Sequence, residues 1–357
     1  MLAHHTTRAV NVWWKANRAI DLHDDRGKFL SSHAILCPQY IGPEIGTSRI
    51  DMWEGEPLDN IIMNTSGRSI YPTLRNLRPY ISNRTVLCLI HPGIGLAEAL
   101  NYEVFDDPAT RPMYVYGHLT HKLMRHKGTE MSMRLGSPRA HLLLTALPME
   151  GYTVNHENAR RKPFIDLLAL SDALNPIPMN HVHFLYRKLP GMIWSSASDA
   201  VCVILGCRYD QILRDLHATR LWHALVNEAI NIASSLPELP PHLAQVFTTP
   251  KFKVHLWTKL RSQRMVYSEW VSLIRKGEIT PVDWVNGYFV RRAFELDLPH
   301  KTHNMTLSMV KARHEARLYE LYDDIPFSLR PYMVDSDRLG GQDYMNDQDL
   351  EELDLNV

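Results

Sequence analysis

Apolar and polar residues over the first 150 positions follow two alternating patterns. Short runs rich in Val, Ile, Leu and Tyr end at Gly, Pro or Asn, which predicts strands. These runs are HAILCPQYI at 33–41, DNIIMNT at 59–65, RTVLCLI at 84–90, MYVYGHL at 113–119 and HLLLTAL at 141–147. Between them, SIYPTLRNLRPYI and GLAEALNYEVF space their apolar residues as helices do. The alternation predicts an α/β domain with a partly parallel sheet.

From about residue 160 a helical period replaces both patterns. Segments such as QILRDLHATRLWHALVNEAINIASSL and DWVNGYFVRRAFELDL place apolar residues at i, i+3 and i+4. The second half therefore predicts an all-helical domain, with SLPELPPH at 235–242 as a loop. We expect domains at 1–155 and 156–325, followed by a tail at 326–357. The tail segment DSDRLGGQDYMNDQDLEELDLNV is acidic, which predicts a solvated, flexible end or an acidic interaction segment.

Composition narrows the class of protein. The 357 residues are 45% apolar and carry 39 basic and 39 acidic side chains, so net charge gives no reason to expect DNA binding. Four cysteines without disulfide or metal spacing (Cys37, Cys88, Cys202 and Cys207) indicate reduced, inert thiols. No run reaches the ~20 apolar residues that cross a bilayer, so no membrane insertion is expected.

Candidate binding motifs are weak when taken alone. HPGIGLAEAL at 91–100 puts Gly-Ile-Gly between a strand and a helix, which fits a phosphate-binding turn or an ordinary tight turn. The 19 histidines include close pairs, but none has a carboxylate or Cys set at ligand spacing, so no metal is expected. KFKVHLWTKLRSQRMVYSEW fits either an RNA-facing helix or a solvated amphipathic helix.

Two segments together resemble one protein family. Residues 58–121, with the GIGLAE turn and VFDDPATRP, resemble the second half of the nucleotide domain of ketopantoate reductases, particularly fungal ones. IRKGEITPVDWVNGYFVRRAFELDLPHKTHNMTLSMVKA at 274–312 resembles their carboxy-terminal helical signature. The resemblance covers most of residues 1–315. It implies a Rossmann-like domain for NADP(H), an all-α domain like that of 6-phosphogluconate dehydrogenase, and ketopantoate bound in the cleft between them.

The resemblance also locates the expected cofactor contacts. MLAHHTTRAVNVWWKANRAIDLHDDRG looks like the family's chain from the end of its second strand, so the Rossmann-like domain is expected to be truncated, with its glycine-rich turn upstream. No presequence is visible at the start. The position near the adenosine phosphate falls at His5, and a lysine position falls at Ser66. At the nicotinamide end, His91, Pro92 and Gly93 replace Gln-Asn-Gly.

The catalytic positions implied by the resemblance are replaced in this chain. The family's lysine supplies positive charge and a proton to the developing alkoxide, and two asparagines follow it on one helix face. Counting back from CRYDQIL puts the lysine position at Gly191 and the asparagine positions at Ser195 and Asp199. A register shift of three residues would bring in Lys188 instead.

Two further cleft positions of the family are also replaced. Where its members have Thr-Glu-Ile-Asp, this chain reads TPVD, so Pro281 stands at the position of the substrate-binding glutamate. Proline is acceptable at the start of a helix, so the fold tolerates this change while the polar role is lost. A serine position falls at Glu269.

These replacements leave two functions open. The first is a catalytically degenerate member that acts as a scaffold or binding factor for a protein or RNA partner, for example in mitochondrial translation or ribosome assembly. The second is an NADPH-dependent 2-dehydropantoate 2-reductase or related oxidoreductase, in which His91, Asp199 or Glu269 replaces the lost groups. A mitochondrial or cytoplasmic location and a homodimer are compatible with either function.

Overall fold

The computed structural model describes residues 18–23, 29–35, 57–64, 70–120, 123–125, 132–135, 141–147, 154–169, 175–263 and 266–322. Most of the strand predicted at 33–41, His5, Ser66 and the acidic tail lie outside these ranges.

The described residues contain nine strands in two sheets. They are β1 Arg18–His23, β2 Phe29–Ile35, β3 Asn60–Met63, β4 Val86–Ile90, β5 Met113–Leu119, β6 Leu123–Arg125, β7 Ser132–Leu135, β8 Leu142–Ala146 and β9 Pro176–Pro178. The five-stranded sheet has the order β3-β4-β5-β8-β9, and the four-stranded sheet has the order β2-β1-β7-β6. Strands β3, β4 and β5 are parallel, whereas β8 is antiparallel to β5. The predicted partly parallel sheet is confirmed, and the four-stranded sheet was not predicted.

The helices of the described chain follow the periodic segments. They are α1 Ile70–Leu77, α2 Leu96–Glu103, α3 Val154–Ala169, α4 His181–Leu205, α5 Tyr209–Ile212, α6 Leu216–Ser234, α7 Pro241–Thr248, α8 Pro250–Ser262, α9 Glu269–Arg275, α10 Val282–Glu295 and α11 Lys301–Tyr322. The predicted helical second half is confirmed. None of the helices in the described ranges is long and apolar enough to span a membrane.

The five-stranded sheet buries both of its faces because side chains alternate along each strand. Val86 and Val115 share one cluster with Phe164 of α3, and Leu87 points into a second cluster that includes α1 and α2. Helix α3 and strand β9 therefore pack with the five-stranded sheet and helices α1 and α2. We call this group of elements the sheet unit. This unit continues to Pro178, past the boundary expected at residue 155.

Helices α4 to α11 form a second group of elements, which we call the helical unit, and α4 lies at its centre. It packs against α6, α9, α10 and α11 and also touches β8 of the sheet unit. Asn180 caps its start by accepting the His183 N–H at 2.9 Å, and Gly206 ends it in a left-handed conformation with φ 63°. Pro190 lies inside the helix and has no N–H, so one intrahelical hydrogen bond is missing two residues after Lys188.

Glu228 of α6 holds the start of α11. Its carboxylate accepts the N–H groups of Thr302 and His303 at 3.2 and 2.8 Å and lies 2.8 Å from His303 Nδ1. The first N–H groups of a helix lack partners within the helix, so this carboxylate caps α11 from another element. Burial would raise the pKa of Glu228, but the hydrogen bonds from His303 and Thr302 hold this pKa below its usual value.

The turn after β4 joins the two units. A Cβ added to Gly93 would lie 2.0 Å from the carbonyl oxygen of Trp284, and the Ile94 N–H donates to the same oxygen at 3.1 Å. The rings of Tyr116 on β5 and Phe184 on α4 stack with centroids 6.4 Å apart. One cluster of buried apolar side chains therefore runs from the sheet unit into the helical unit.

Replacing Gly93 tests this close contact. We expect Gly93→Ala to lower the free energy of unfolding by about 1–3 kcal/mol, because the added methyl forces the turn away from Trp284. The control is Gly191→Ala on α4, where an added Cβ meets no atom within 4 Å. That change is expected to stabilise the protein by about 0.5–1 kcal/mol, since Ala favours helices over Gly. Urea unfolding measures both changes, and equal stability of the two variants would contradict the contact.

Candidate active site

Lys188 lies at the junction of the two units, with 2% of its surface exposed. Its Nζ donates a hydrogen bond to the carbonyl oxygen of His91 at 2.6 Å and lies 5.5 Å from the centroid of the Phe184 ring. Burial lowers the pKa of Lys188 to about 7, and no carboxylate of the described chain offsets that shift. The amine therefore changes its charge near neutral pH.

His91, whose carbonyl holds Lys188, is buried in the turn after β4. Its Nδ1 accepts the Gly93 N–H at 3.1 Å, so the neutral ring carries its proton on Nε2. Burial and the nearby charge of Lys188 lower the pKa of His91 to about 3. At neutral pH the ring can donate a hydrogen bond from Nε2, but it is not a source of a readily released proton.

His118 and Lys259 complete a group that we call the junction cluster, together with Lys188 and His91. His118 is near the carboxyl end of β5, where burial and then the charges of Lys188 and Lys259 lower its pKa to about 4. The Nζ of Lys259 on α8 lies 4.4 Å from the centroid of the Trp194 ring. Strands β4 and β5 are parallel, so His91 and His118 lie at the same edge of the sheet. This carboxyl edge is where α/β sheets bind ligands.

Asp199 of α4 is a buried carboxylate bound by three hydroxyl groups. Its Oδ1 accepts hydrogen bonds from Tyr209 at 2.5 Å and Ser268 at 2.7 Å, and its Oδ2 accepts one from Ser195. The three hydroxyl donors thus satisfy both oxygens of this buried side chain. It also ties α4 to the start of α5 and to the residue that caps α9.

The predicted catalytic positions fall in different surroundings. Gly191 is exposed on α4, three residues after Lys188, and the structure does not bring it to the junction. Lys188, which a register shift of three residues introduces, occupies the junction instead. Ser195 and Asp199 meet each other through the hydrogen bond described above.

The remaining predicted positions divide between the interior and the surface. Pro281 is buried and directly precedes α10, where it offers no side-chain cap. Glu269 is exposed at the first position of α9, whereas the adjacent Ser268 is buried against Asp199. In the turn after β4, His91 and Gly93 are buried, and Pro92 between them is exposed.

The sequence analysis did not predict two members of the junction cluster, His118 and Lys259, as site residues. His118 stands at the carboxyl end of a predicted strand, and this position was the available signal for a ligand site. Lys259 gave no such signal, because basic residues on an amphipathic helix are usually solvated. In the ranges that the structure describes, no three His, Cys, Asp or Glu side chains lie close enough to hold a metal ion.

Comparisons with known proteins agree with this architecture. Residues 184–314, from α4 into α11, match the family model of the ketopantoate reductase PanE/ApbA carboxy-terminal domain. The 2-dehydropantoate 2-reductase of Saccharomyces cerevisiae is 33% identical over 72 residues, which are 20% of this chain and 19% of that enzyme. The matched segment thus spans about a fifth of the yeast enzyme's length.

Solved structures show a similar fold over most of the chain. The 2-dehydropantoate 2-reductase of Geobacter metallireducens has a TM-score of 0.57 at 11% identity, covering 82% of this chain and 86% of that chain. A D-mandelate dehydrogenase with NADH and anilino(oxo)acetate has a TM-score of 0.54 at 18% identity, covering 73% of this chain and 78% of that chain. The chain is therefore similar in fold to these two-domain enzymes. The helical part of the chain is thus similar to the carboxy-terminal domain of ketopantoate reductases.

The hydroxyl groups around Asp199 give a second stability test. We expect Asp199→Ala to lower the free energy of unfolding by about 1–3 kcal/mol, because buried hydroxyls of Tyr209 and Ser268 lose their acceptor. Ser195→Ala is the control, since it removes one donor and leaves the carboxylate with two. Its loss should be clearly smaller in thermal unfolding. An equal loss in both variants would mean that the carboxylate does not hold the cluster together.

Proposed function

We propose that this chain is an NAD(P)H-dependent reductase of a small 2-oxo acid, of the 2-dehydropantoate 2-reductase type. The supporting observation is Lys188, an amine buried at the junction and bound to the His91 carbonyl at the carboxyl end of β4. In this proposal, Lys188 has the role of the family's lysine, which the resemblance alone puts at Gly191.

The other groups of the junction cluster fit this role for Lys188. The lowered pKa values of His91 and His118 keep both rings neutral near pH 7, so neither competes with the amine as the group that titrates there. The comparisons support the cofactor and the substrate class. The matched yeast relative is named for 2-dehydropantoate reduction, and the D-mandelate dehydrogenase structure contains NADH.

The chemistry proposed for Lys188 follows from its position. A bound nicotinamide at the carboxyl edge of β4 and β5 would supply the hydride. Protonated Lys188 would stabilise the negative charge that develops on the ketone oxygen and then give this oxygen its proton. The His91 carbonyl orients the amine for this step. Pro281 has no polar side chain, so substrate binding in this proposal does not use a hydroxyl contact there.

The second candidate is the catalytically degenerate scaffold. Two observations favour it: Pro281 offers no polar group, and Asp199 is already bound by three hydroxyls. In this proposal the fold binds a protein or RNA partner, in mitochondrial translation or ribosome assembly. A mitochondrial or cytoplasmic location and homodimerisation belong to the same proposal.

Removing the Lys188 amine distinguishes the two candidates. We expect Lys188→Met to lower kcat/KM for the reduction of 2-dehydropantoate by NADPH by about 10²–10³, because the charge on the alkoxide loses its stabilising group. Met retains the apolar stem, so the variant should remain folded. Lys253→Met, at an exposed position of α8, is the control and should match the wild type. The absence of turnover by the wild type with NADPH and with NADH would favour the scaffold.

The pH dependence of the reduction rate is a second test of Lys188 as the proton donor. Reduction needs protonated Lys188, so its rate should fall by about tenfold per pH unit as the pH rises above the Lys188 pKa. This pKa is about 7 in the folded protein. Oxidation of the hydroxy acid needs the neutral amine and should rise through the same pH range. A reduction rate that stays constant well above neutral pH would contradict the assignment of Lys188 as the proton donor.

A further inference from the structure

Lys188 is unusual among the described lysines because its amine is fully buried and has no carboxylate partner in that part of the chain. Its hydrogen bond goes to a peptide carbonyl, and the face of Phe184 lies beside it. A carbonyl oxygen accepts a stronger hydrogen bond from an ammonium group, but it also accepts one from a neutral amine. The junction therefore holds the nitrogen in place without requiring its charge.

A buried amine of this kind is a nucleophile. Its lone pair is free whenever the nitrogen is unprotonated, and burial maintains that form near neutral pH. An unperturbed lysine amine has a pKa near 10.4, so only about one in a few thousand such amines is neutral at pH 7.

The surroundings favour one class of carbonyl compound. The neutral His91 ring carries its proton on Nε2, and Lys259 brings a positive charge close enough to lower the pKa of His118. Lys188 and Lys259 both act on the His118 ring, and a hydrogen-bond donor and a cation within this cluster suit a carbonyl compound that also carries a carboxylate.

From this geometry we propose that Lys188 is a covalent modification site, at which its amine condenses with a small 2-oxo acid to form an imine. The nitrogen attacks the keto carbon and forms the new C–N bond. The keto oxygen takes up the two protons that the amine loses and leaves as water. The step needs no oxidant or reductant. The inference rests on the substrate class of the proposed function, but not on hydride transfer.

Access to the amine involves the contact between the turn after β4 and α10. With 2% of its surface exposed, Lys188 is reached only when this junction opens. The turn is held to α10 through the hydrogen bond from Ile94 to Trp284 and the close approach of Gly93. Modification should therefore be faster in Gly93→Ala, in which we expect the turn to be displaced from α10.

Trapping the imine tests the inference on the unmodified chain. The full chain is incubated with pyruvate and sodium cyanoborohydride, without a nicotinamide cofactor, and the reduced adduct is located by peptide mass spectrometry. We expect at least about tenfold more adduct at Lys188 than at exposed Lys253 near neutral pH. The Lys188 adduct should increase with pH and level off above about pH 7. An adduct at Lys188 that is absent or no greater than that at Lys253 overturns the inference.

The outcome separates this inference from the proposed reductase. The imine needs the neutral amine and the reduction needs the protonated one, so the two activities should have opposite pH dependences. Trapping at Lys188 without turnover of either NADPH or NADH would support the modification site and reject the reductase. Turnover without trapping would support the reductase and reject the modification site.

Discussion

The burial of the Lys188 amine against the His91 carbonyl is the interaction on which the site depends. A charged ammonium group in this position has no counter-ion among the described residues, so the protein lowers its pKa until the neutral form is common. Helix α4 makes this possible because other helices and the sheet unit surround it. The contact between α4 and the turn after β4 thus both closes the junction and controls the protonation of its amine.

Much of the fold could be predicted from the sequence because its strands and helices leave local patterns of apolar residues. Strands β4, β5 and β8 are buried on both faces, so their apolar runs are continuous, and the helical period persists from His181 onward. The four-stranded sheet depends on pairing between distant segments, such as β1 with β7, and no local pattern predicts that pairing. The end of the sheet unit was also hidden, because α3 has a helical pattern although it packs on strands.

The site was harder to predict than the fold, and Lys188 shows why. Side chains on a helix turn by about 100° per residue, so an error of three residues rotates the expected side chain by roughly 60°. That rotation separates buried Lys188 from exposed Gly191. The other members of the junction cluster were harder to predict, because His118 comes from β5 and Lys259 from α8, which are far apart in the chain.

The apolar cluster shared between the two units has a consequence for how the protein loses its structure. Its members include Leu96, Tyr116 and Leu143 of the sheet unit and Phe184 and Leu185 of α4. Separating the units would expose both halves of this cluster to water, so neither unit retains a complete core alone. The sheet and helical units should therefore melt in a single cooperative transition, although the chain has the outline of two domains.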